Sequence, residues 1–356
     1  MITSLTLKNF RNFKERSFHF EWEKTFIIWE NGIWKTNILE ALSLLTHNSI
    51  TWIDFEKLVN NWEEVFFISC DDDEWNTVSI SFDQKEKKKT YIINGKKTSK
   101  RKLWEVFTKS VTFSPIIMNL MYLSPSLRRD FIDNILTNSY PEYEKLLKEY
   151  KKILKHRNKL LKNIRENKSS RDEIIFWNTQ FIEKACELYQ FRFIIVWFLE
   201  KHIKSAKEYF RGKIDDISFI YQHKIQKDDR EGSIKKYLDE NFERDIILGN
   251  THIGHHIDDF DIEVNSVKLI DFASRWETKS IIIWLKLLET AFIENITKKK
   301  PILLIDDLLS ELDEDHKLML VNKIKYYQTF ITSLSLIHIW RCRRRLRCRS
   351  RWSPYH

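Results

Sequence analysis

The stretch Thr25-Phe26-Ile27-Ile28-Trp29-Glu30-Asn31-Gly32-Ile33-Trp34-Lys35-Thr36-Asn37-Ile38-Leu39-Glu40-Ala41-Leu42 decides how the chain is read. Its short apolar run predicts a strand over 25–28, and the spacing after Thr36 predicts a helix. A strand, a tight turn ending in Lys-Thr and a helix together form the setting in which backbone N–H groups curl around phosphates. The turn that does this reads GxxxxGK[ST], with glycine at both ends because no side chain fits there. Here tryptophan stands at both glycine positions, 29 and 34.

The composition addresses that conflict. Glycine occurs 6 times in 356 residues, where average usage of roughly 7% gives about 25. Tryptophan occurs 13 times, including Trp276 in the polar turn Ser274-Arg275-Trp276-Glu277. One decoding change explains both counts: UGA codons that mean glycine in some lineages, translated as tryptophan. With glycine at 29 and 34 the loop becomes GENGIGKT. Trp29, Glu30, Asn31, Gly32, Ile33 and Trp34 then mark the nucleotide-binding loop, Lys35 contacts the β- and γ-phosphates, and the Thr36 hydroxyl ligates Mg²⁺. Tryptophans taken at face value would fill the phosphate site and leave a degenerate pseudo-ATPase.

The C-terminus supports the decoding reading. Residues 334–356, LSLIHIWRCRRRLRCRSRWSPYH, lack fold logic and resemble the translation of a transposase-type sequencing-library adapter, in which Trp340 is a TGA codon. This tail carries seven arginines and no acid, so the formal net charge of +9 falls to +2 for residues 1–333. A basic character that suggests nucleic acid is thus mostly contributed by the tail. The sequence contains no membrane-length apolar run, and its four cysteines suggest neither a disulfide framework nor a metal quartet. A reducing cytoplasm is the expected location.

Along the chain, strand patterns at 4–7, 18–20, 25–28, 65–69, 77–82 and 90–93 give way to helical spacing from about Ser124, especially over 141–166 and 171–211. The acid run Asp71-Asp72-Asp73-Glu74 is a solvated turn before it is a metal site. Strand spacing returns at Phe260–Val264, followed by a helix over 278–296, an apolar run Ile302–Ile305, a helix near 314–326 and a short strand over 329–332. The expected organisation is an α/β head split into 1–123 and 249–333, a helical insertion or arm over 124–248, and a non-native tail over 334–356.

Pro301-Ile302-Leu303-Leu304-Ile305-Asp306-Asp307 is an apolar strand ending in two carboxylates. In company with the phosphate loop it reads as a Walker B, with Asp306 holding Mg²⁺ and Asp307 as the catalytic group that polarises the attacking water. Ser274, Trp276 and Glu277 occupy the place of the signature with which ABC-type ATPases cap a partner subunit's γ-phosphate. The same residues also read as an ordinary helix N-cap, Ser274 and Glu277 forming a capping box. Ser310-Glu311-Leu312-Asp313 matches the D-loop that follows a Walker B.

These elements together resemble the RecF family of bacterial recombination-mediator and gap-repair ATPases. The resemblance runs in order through nearly all of residues 1–333. It includes SLTLKNFRNF from Ser4, Val111-Thr112-Phe113-Ser114-Pro115, the segment Ser124–Asp133, the helix with Tyr150, Arg157 and Asn158, and Phe176-Trp177-Asn178, which makes Trp177 a genuine tryptophan. The family's GPHRDD stretch appears as Gly254-His255-His256-Ile257-Asp258-Asp259, without its proline and arginine, so no role of that arginine is carried over. His252, His255, His256 and Asp258 form either an ordered loop or a metal site.

The resemblance implies an ABC/SMC-type P-loop ATPase head with an inserted, mostly helical arm. It implies a homodimer that ATP clamps through the Ser274 signature, weak DNA-stimulated ATP hydrolysis, and binding of single-stranded and junction DNA with RecR and RecO as mediators. Lys8, Arg11, Arg128 and Arg129 are the candidate DNA contacts, each also readable as a solvated surface charge. An SMC-like nucleotide-gated tether is the alternative, and it calls for a longer coiled coil than 124–248 allows.

Overall fold

The computed structural model describes residues 1–21, 23–28, 34–46, 54–209, 214–310 and 312–333. They divide into two compact units, Met1–Met118 with the chain from Glu289 onward, and Asn119–Leu288. In chain order the first unit supplies β1 (Ile2–Phe10), β2 (Phe13–His19), β3 (Lys24–Ile28), α1 (Trp34–Leu45), β4 (Val65–Asp72), β5 (Thr77–Asp83), β6 (Lys88–Ile93), β7 (Lys96–Thr98), α2 (Lys100–Val106) and β8 (Ser110–Phe113). Next come α3 (Pro125–Ser139), α4 (Tyr143–Arg165), α5 (Ile174–Ile203), β9 (Ile217–Gln222), α6 (Arg230–Glu240), α7 (Phe242–Leu248), β10 (Asp259–Val264), β11 (Val267–Lys268), α8 (Leu269–Phe272) and α9 (Arg275–Thr297). The chain ends its described course with β12 (Ile302–Ile305), α10 (Glu314–Ile324) and β13 (Thr329–Ser333).

Two sheets organise the first unit. One is antiparallel, ordered β2-β1-β4-β5-β6-β7, and the other is parallel, ordered β3-β13-β12-β8. Alternation in the antiparallel strands sends Leu5, Leu7, Phe66, Ile68, Val78, Ile80 and Phe82 to one face. These residues share a core with Ile38 and Leu42 of α1 and with Ile302, Leu304 and Phe330 of the parallel sheet. Each such side chain contributes roughly 1.5–3 kcal/mol on burial. A strand inside a parallel sheet is buried on both faces, which is why the central β12 is Ile-Leu-Leu-Ile with all four residues buried. Parallel pairing also gathers the C-terminal ends of all four strands at one edge, where ligands bind in open α/β sheets.

The second unit is built on α4 and α5, about 35 and 45 Å long at 1.5 Å per residue. Buried positions on α4 recur at Tyr143, Leu146, Leu147, Tyr150, Arg157, Leu160, Leu161 and Ile164, a single stripe at helical spacing. This unit is not purely helical, and it extends beyond the expected insertion. The strand Phe260–Val264, assigned from sequence to the head, lies in β10, which pairs antiparallel with β9 from Asp259↔Gln222 to Val264↔Ile217. Long-range pairing therefore draws 249–288 into the second unit, with the return to the first at Glu289. Gly254 fixes one turn of it: its φ is +116°, and a Cβ there would collide with the Tyr150 hydroxyl.

Candidate nucleotide site

Of the predicted loop, Trp29, Glu30, Asn31, Gly32 and Ile33 lie outside the described residues. Its two flanks are well defined. β3 ends at Ile28 and α1 opens at Trp34, so the expected strand and helix are present on either side of the loop. Trp34 is half-buried and meets the Phe13 ring edge-on, with centroids 4.7 Å apart at 84°.

Lys35 is buried on the first turn of α1. Its Nζ donates to the Ser333 carbonyl at 3.4 Å and stands 3.8 Å from Asp307 Oδ1. Thr36 shares its hydroxyl proton between the two carboxylate oxygens of Asp306, each 3.3 Å away. The sequence motifs from 35–36 and 306–307, some 270 residues apart, thus converge in one place.

Two residues that the motifs do not include complete the site. The Thr332 hydroxyl donates to Asp306 Oδ1 at 2.8 Å and accepts from the Asp307 N–H at 2.9 Å. Ser333 supplies the carbonyl that meets Lys35. Two polar residues closing the parallel strand beside the Walker strand were the available signal, because such strands end at the ligand edge.

Burial pushes the Asp306 carboxyl above its ordinary range, and the charge of Asp307 adds to this against the hydrogen bonds from Thr332 and Thr36. Asp307 holds a left-handed backbone at φ 45°, rare for a residue with a Cβ and frequent at functional sites. Its Oδ1 is buried and receives no hydrogen bond. A carboxylate oxygen without a hydrogen-bond donor beside a buried ammonium is an unsatisfied pair of the kind that a ligand completes.

These residues fit a magnesium ion. Thr36 Oγ1 and the Asp306 carboxylate are hard oxygen donors on one spot, and their 3.3 Å separation is close to the roughly 2.9 Å between adjacent ligands of an octahedral Mg²⁺ site.

Ser274, Trp276 and Glu277 lie in the second unit, at the start of α9. Ser274 N–H and Oγ donate to Glu277 Oε2 at 2.9 and 2.7 Å, and the Glu277 N–H returns a bond to Ser274 Oγ at 3.3 Å. The capping-box reading is therefore realised.

Three of the four candidate DNA contacts are engaged within their own units. Arg11 forms a fork with Glu40 at 2.9 and 3.0 Å and also donates to the Lys57 carbonyl. Arg128 forms a fork with Asp259, both contacts 2.7 Å, and Arg129 donates to the Asp258 carbonyl at 3.0 Å. Lys8 is exposed and paired with exposed Glu15 at 3.4 Å.

The histidine cluster is an ordered loop. His256 sits between the Tyr150 hydroxyl at 2.7 Å and the Thr251 carbonyl at 3.0 Å, His252 meets Asp245 at 3.0 Å, and Asp258 accepts from Tyr189 and Tyr221. Among the described residues no group of three or more His, Cys, Asp or Glu converges on a metal position.

No family model matches the chain. Curated relatives do. It is 32% identical over 349 residues to the DNA replication and repair protein RecF of Ruminiclostridium cellulolyticum, covering 95% of this chain and 94% of that one. The chain belongs to the RecF family. The RecF of Streptococcus gordonii is also 32% identical, over 346 residues covering 95% and 94% of the two chains. Two solved structures of the recombination mediator protein RecF in the RecFOR pathway, described as RecF-ATPrS and RecF-ATP, share the fold. Their TM-scores are 0.86 and 0.83 at 26% and 25% identity, and they cover 95% and 94% of this chain. The α/β architecture is therefore that of RecF.

Proposed function

We propose that this RecF-family protein binds ATP with Mg²⁺ at the Lys35, Thr36, Asp306 and Asp307 site and uses slow, DNA-stimulated hydrolysis as a switch in recombinational gap repair. The observation that supports this best is the convergence of Thr36 and Lys35 on Asp306 and Asp307, with one carboxylate oxygen left without a donor. RecF proteins with ATP and its analogue among the similar solved structures support it too.

In this reading the Lys35 ammonium exchanges its long contacts with Ser333 and Asp307 for phosphate oxygens. Thr36 and Asp306 hold the magnesium ion, which supplies charge neutralisation of the phosphates. Asp307 Oδ1, aimed into the site without a partner, accepts a proton from the attacking water. Thr332 holds Asp306 and the Asp307 backbone in register, acting as a positioning residue. Glycines at 29, 34 and 276 belong to this reading. Ser274 and its signature then face a partner subunit's nucleotide in an ATP-clamped homodimer, because a helix N-terminus suits an anion whether or not it is also capped.

Single-stranded and junction DNA, and RecR- and RecO-like mediators, are the proposed partners, in the cytoplasm. Lys8 is the most available of the four candidate DNA contacts, since a phosphate has to compete with Glu40, Asp259 or the Asp258 carbonyl for the arginines. A degenerate, non-binding reading draws on Trp34, whose indole finds a favourable edge contact with Phe13 as printed. Turnover separates the two. DNA-stimulated ATP hydrolysis by the chain carrying glycine at 29, 34 and 276, lost on Lys35→Ala, is expected. Dimerisation that proceeds equally without ATP contradicts the clamp.

A further inference from the structure

Residues 84–102 carry nine cations, at 85, 87, 88, 89, 96, 97, 100, 101 and 102, against one acid, Glu86. Residues 1–333 have a net charge of only +2, so the rest of that stretch is net negative. This charge is placed together by the fold. β6 and β7 form the end of the antiparallel sheet, with β7 its edge strand, and α2 follows at once. Eight of the nine cations are exposed, Lys100 being half-buried. Lys96, Lys97 and Lys102 make no ion pair among the described residues. Lys85 and Lys87 pair with Glu64 and Glu56 at 2.5 and 3.0 Å, but all four side chains are exposed, and such pairs are worth little in water.

Lysines on an edge strand also prevent edge-to-edge pairing. That role accounts for Lys96 and Lys97 but not for the cations on the helix, Lys100, Lys102 and Arg101, the last paired with exposed Glu105 at 3.2 Å. We infer that the β6–β7 hairpin and the start of α2 form a docking surface for a nucleic-acid phosphate backbone. The inference rests on the DNA-binding reading above and places its electrostatic contact away from Arg11, Arg128 and Arg129. Neutralising separated surface lysines removes counterion release at a slope of about 0.9 per phosphate contact on duplex DNA.

The test is binding of a single-strand/double-strand junction across a salt series by the full chain and two triple variants. Lys96→Gln/Lys97→Gln/Lys102→Gln is expected to weaken binding about tenfold at low salt and to reduce the slope of log affinity against log salt by roughly 2–3. Lys152→Gln/Lys155→Gln/Lys159→Gln on α4 changes net charge equally and is expected to do neither. Equal effects of the two triples, or no effect of the first, overturn the surface while leaving the DNA reading intact. Absence of junction binding by the parent at every salt concentration overturns both.

A second inference stands on backbone geometry alone. Trp62 has φ 75° and Trp75 has φ 64°, and the two side chains are 102% and 92% exposed. The Glu63 N–H bonds the Asn60 carbonyl at 3.1 Å, placing Trp62 at the third position of a turn whose positive φ calls for glycine. Trp75 closes the loop between β4 and β5, where Trp75 N–H bonds the Asp72 carbonyl and Asp72 N–H bonds that of Asn76. That is the left-handed position of a three-residue hairpin loop, again a glycine place. A bulky aromatic is an outlier at both.

We propose that the natural residues at 62 and 75 are glycine, encoded by UGA like 29 and 34. Trp177, stacked on His156 at 4.9 Å and 11°, and Trp284, whose Nε1 donates to the His202 carbonyl, are genuine. The source gene is expected to read TGA at 62 and 75 and TGG at 177 and 284. TGG at 62 or 75 overturns the assignment. Independently, Trp62→Gly and Trp75→Gly are each expected to raise the thermal midpoint by roughly 2–5 °C; an unchanged or lower midpoint argues against it.

Discussion

The two units treat their carboxylates in opposite ways. In the second unit Asp245 meets Arg157 at 3.1 Å and His252 at 3.0 Å, Asp133 meets Tyr143 and Arg192, and Asp258 accepts from two tyrosines. Every one of these acids is occupied by protein. In the first unit Asp306 receives only hydroxyl donors and Asp307 Oδ1 receives none, with Lys35 held off at 3.8 Å. Carboxylates held by protein donors fix a core, whereas a carboxylate oxygen with no donor beside a buried cation waits for a ligand. Similar residue types therefore carry structure in one unit and chemistry in the other.

The largest expected effect comes from the unsatisfied side. Asp307→Asn keeps the shape of the site and removes the proton acceptor. Turnover is expected to fall by about 10²–10⁴-fold, the range for loss of a general base, with ATP affinity retained. Single-turnover kinetics alongside equilibrium binding checks this, and comparable loss of both places Asp307 in binding instead.

On the satisfied side, Asp245→Asn leaves the fully buried Arg157 with an uncompensated charge. Denaturant unfolding is expected to show about 3–5 kcal/mol of destabilisation, while a loss below about 1 kcal/mol shows that the pair does not hold the unit.

A smaller effect comes with pH. Burial holds His255 and His256 below the ordinary imidazole range, His256 at about 4. The unfolded chain takes up those protons below about pH 6.5 and the fold does not, so stability falls as pH drops through that window. Asp258, raised to about 6 by burial, acts in the opposite sense because the fold takes up its proton first. His223 acts with these two histidines, and Asp306 and Asp130 act with Asp258; because imidazoles of the unfolded chain take up protons at higher pH than its carboxyls, the histidine loss leads, and the thermal midpoint is expected to be lower at pH 5 than at pH 7. His256→Gln should flatten the difference, and a midpoint that rises on acidification contradicts this assignment.

The smallest effect expected is on DNA affinity from Lys8→Ala, about two- to threefold in a salt-dependent binding assay, since Lys8 already shares its charge with Glu15. A change above tenfold would make Lys8 a principal contact.

Local chemistry was legible in the sequence wherever neighbours along the chain define it. The strand over 25–28 and the helix from Trp34 could be read directly, as could the apolar strand ending at Asp306 and Asp307 and the Ser274–Glu277 capping box. What distant pairing decides could not be read. Nothing near Ile217 announces that it faces Val264, so 249–288 was assigned to the head. Thr332 looked like an ordinary strand residue until the parallel register set it beside Asp306. Arg11 and Arg128 read as exposed cations because their acids, Glu40 and Asp259, lie 29 and 131 residues away. The His252–Asp258 segment was ambiguous for the same reason: its partners Tyr150, Tyr189 and Tyr221 are remote in sequence.

The central claim is that the flanks of the loop, Lys35 and Thr36 with Asp306 and Asp307, form a nucleotide site once glycine stands at 29 and 34. Calorimetric titration of ATP, with and without Mg²⁺, into the chain as printed and into its Trp29→Gly/Trp34→Gly form tests it most directly. The predicted result is Mg²⁺-dependent binding by the glycine form and none by the tryptophan form. Absence of binding by the glycine form, or equal binding by both, would contradict it.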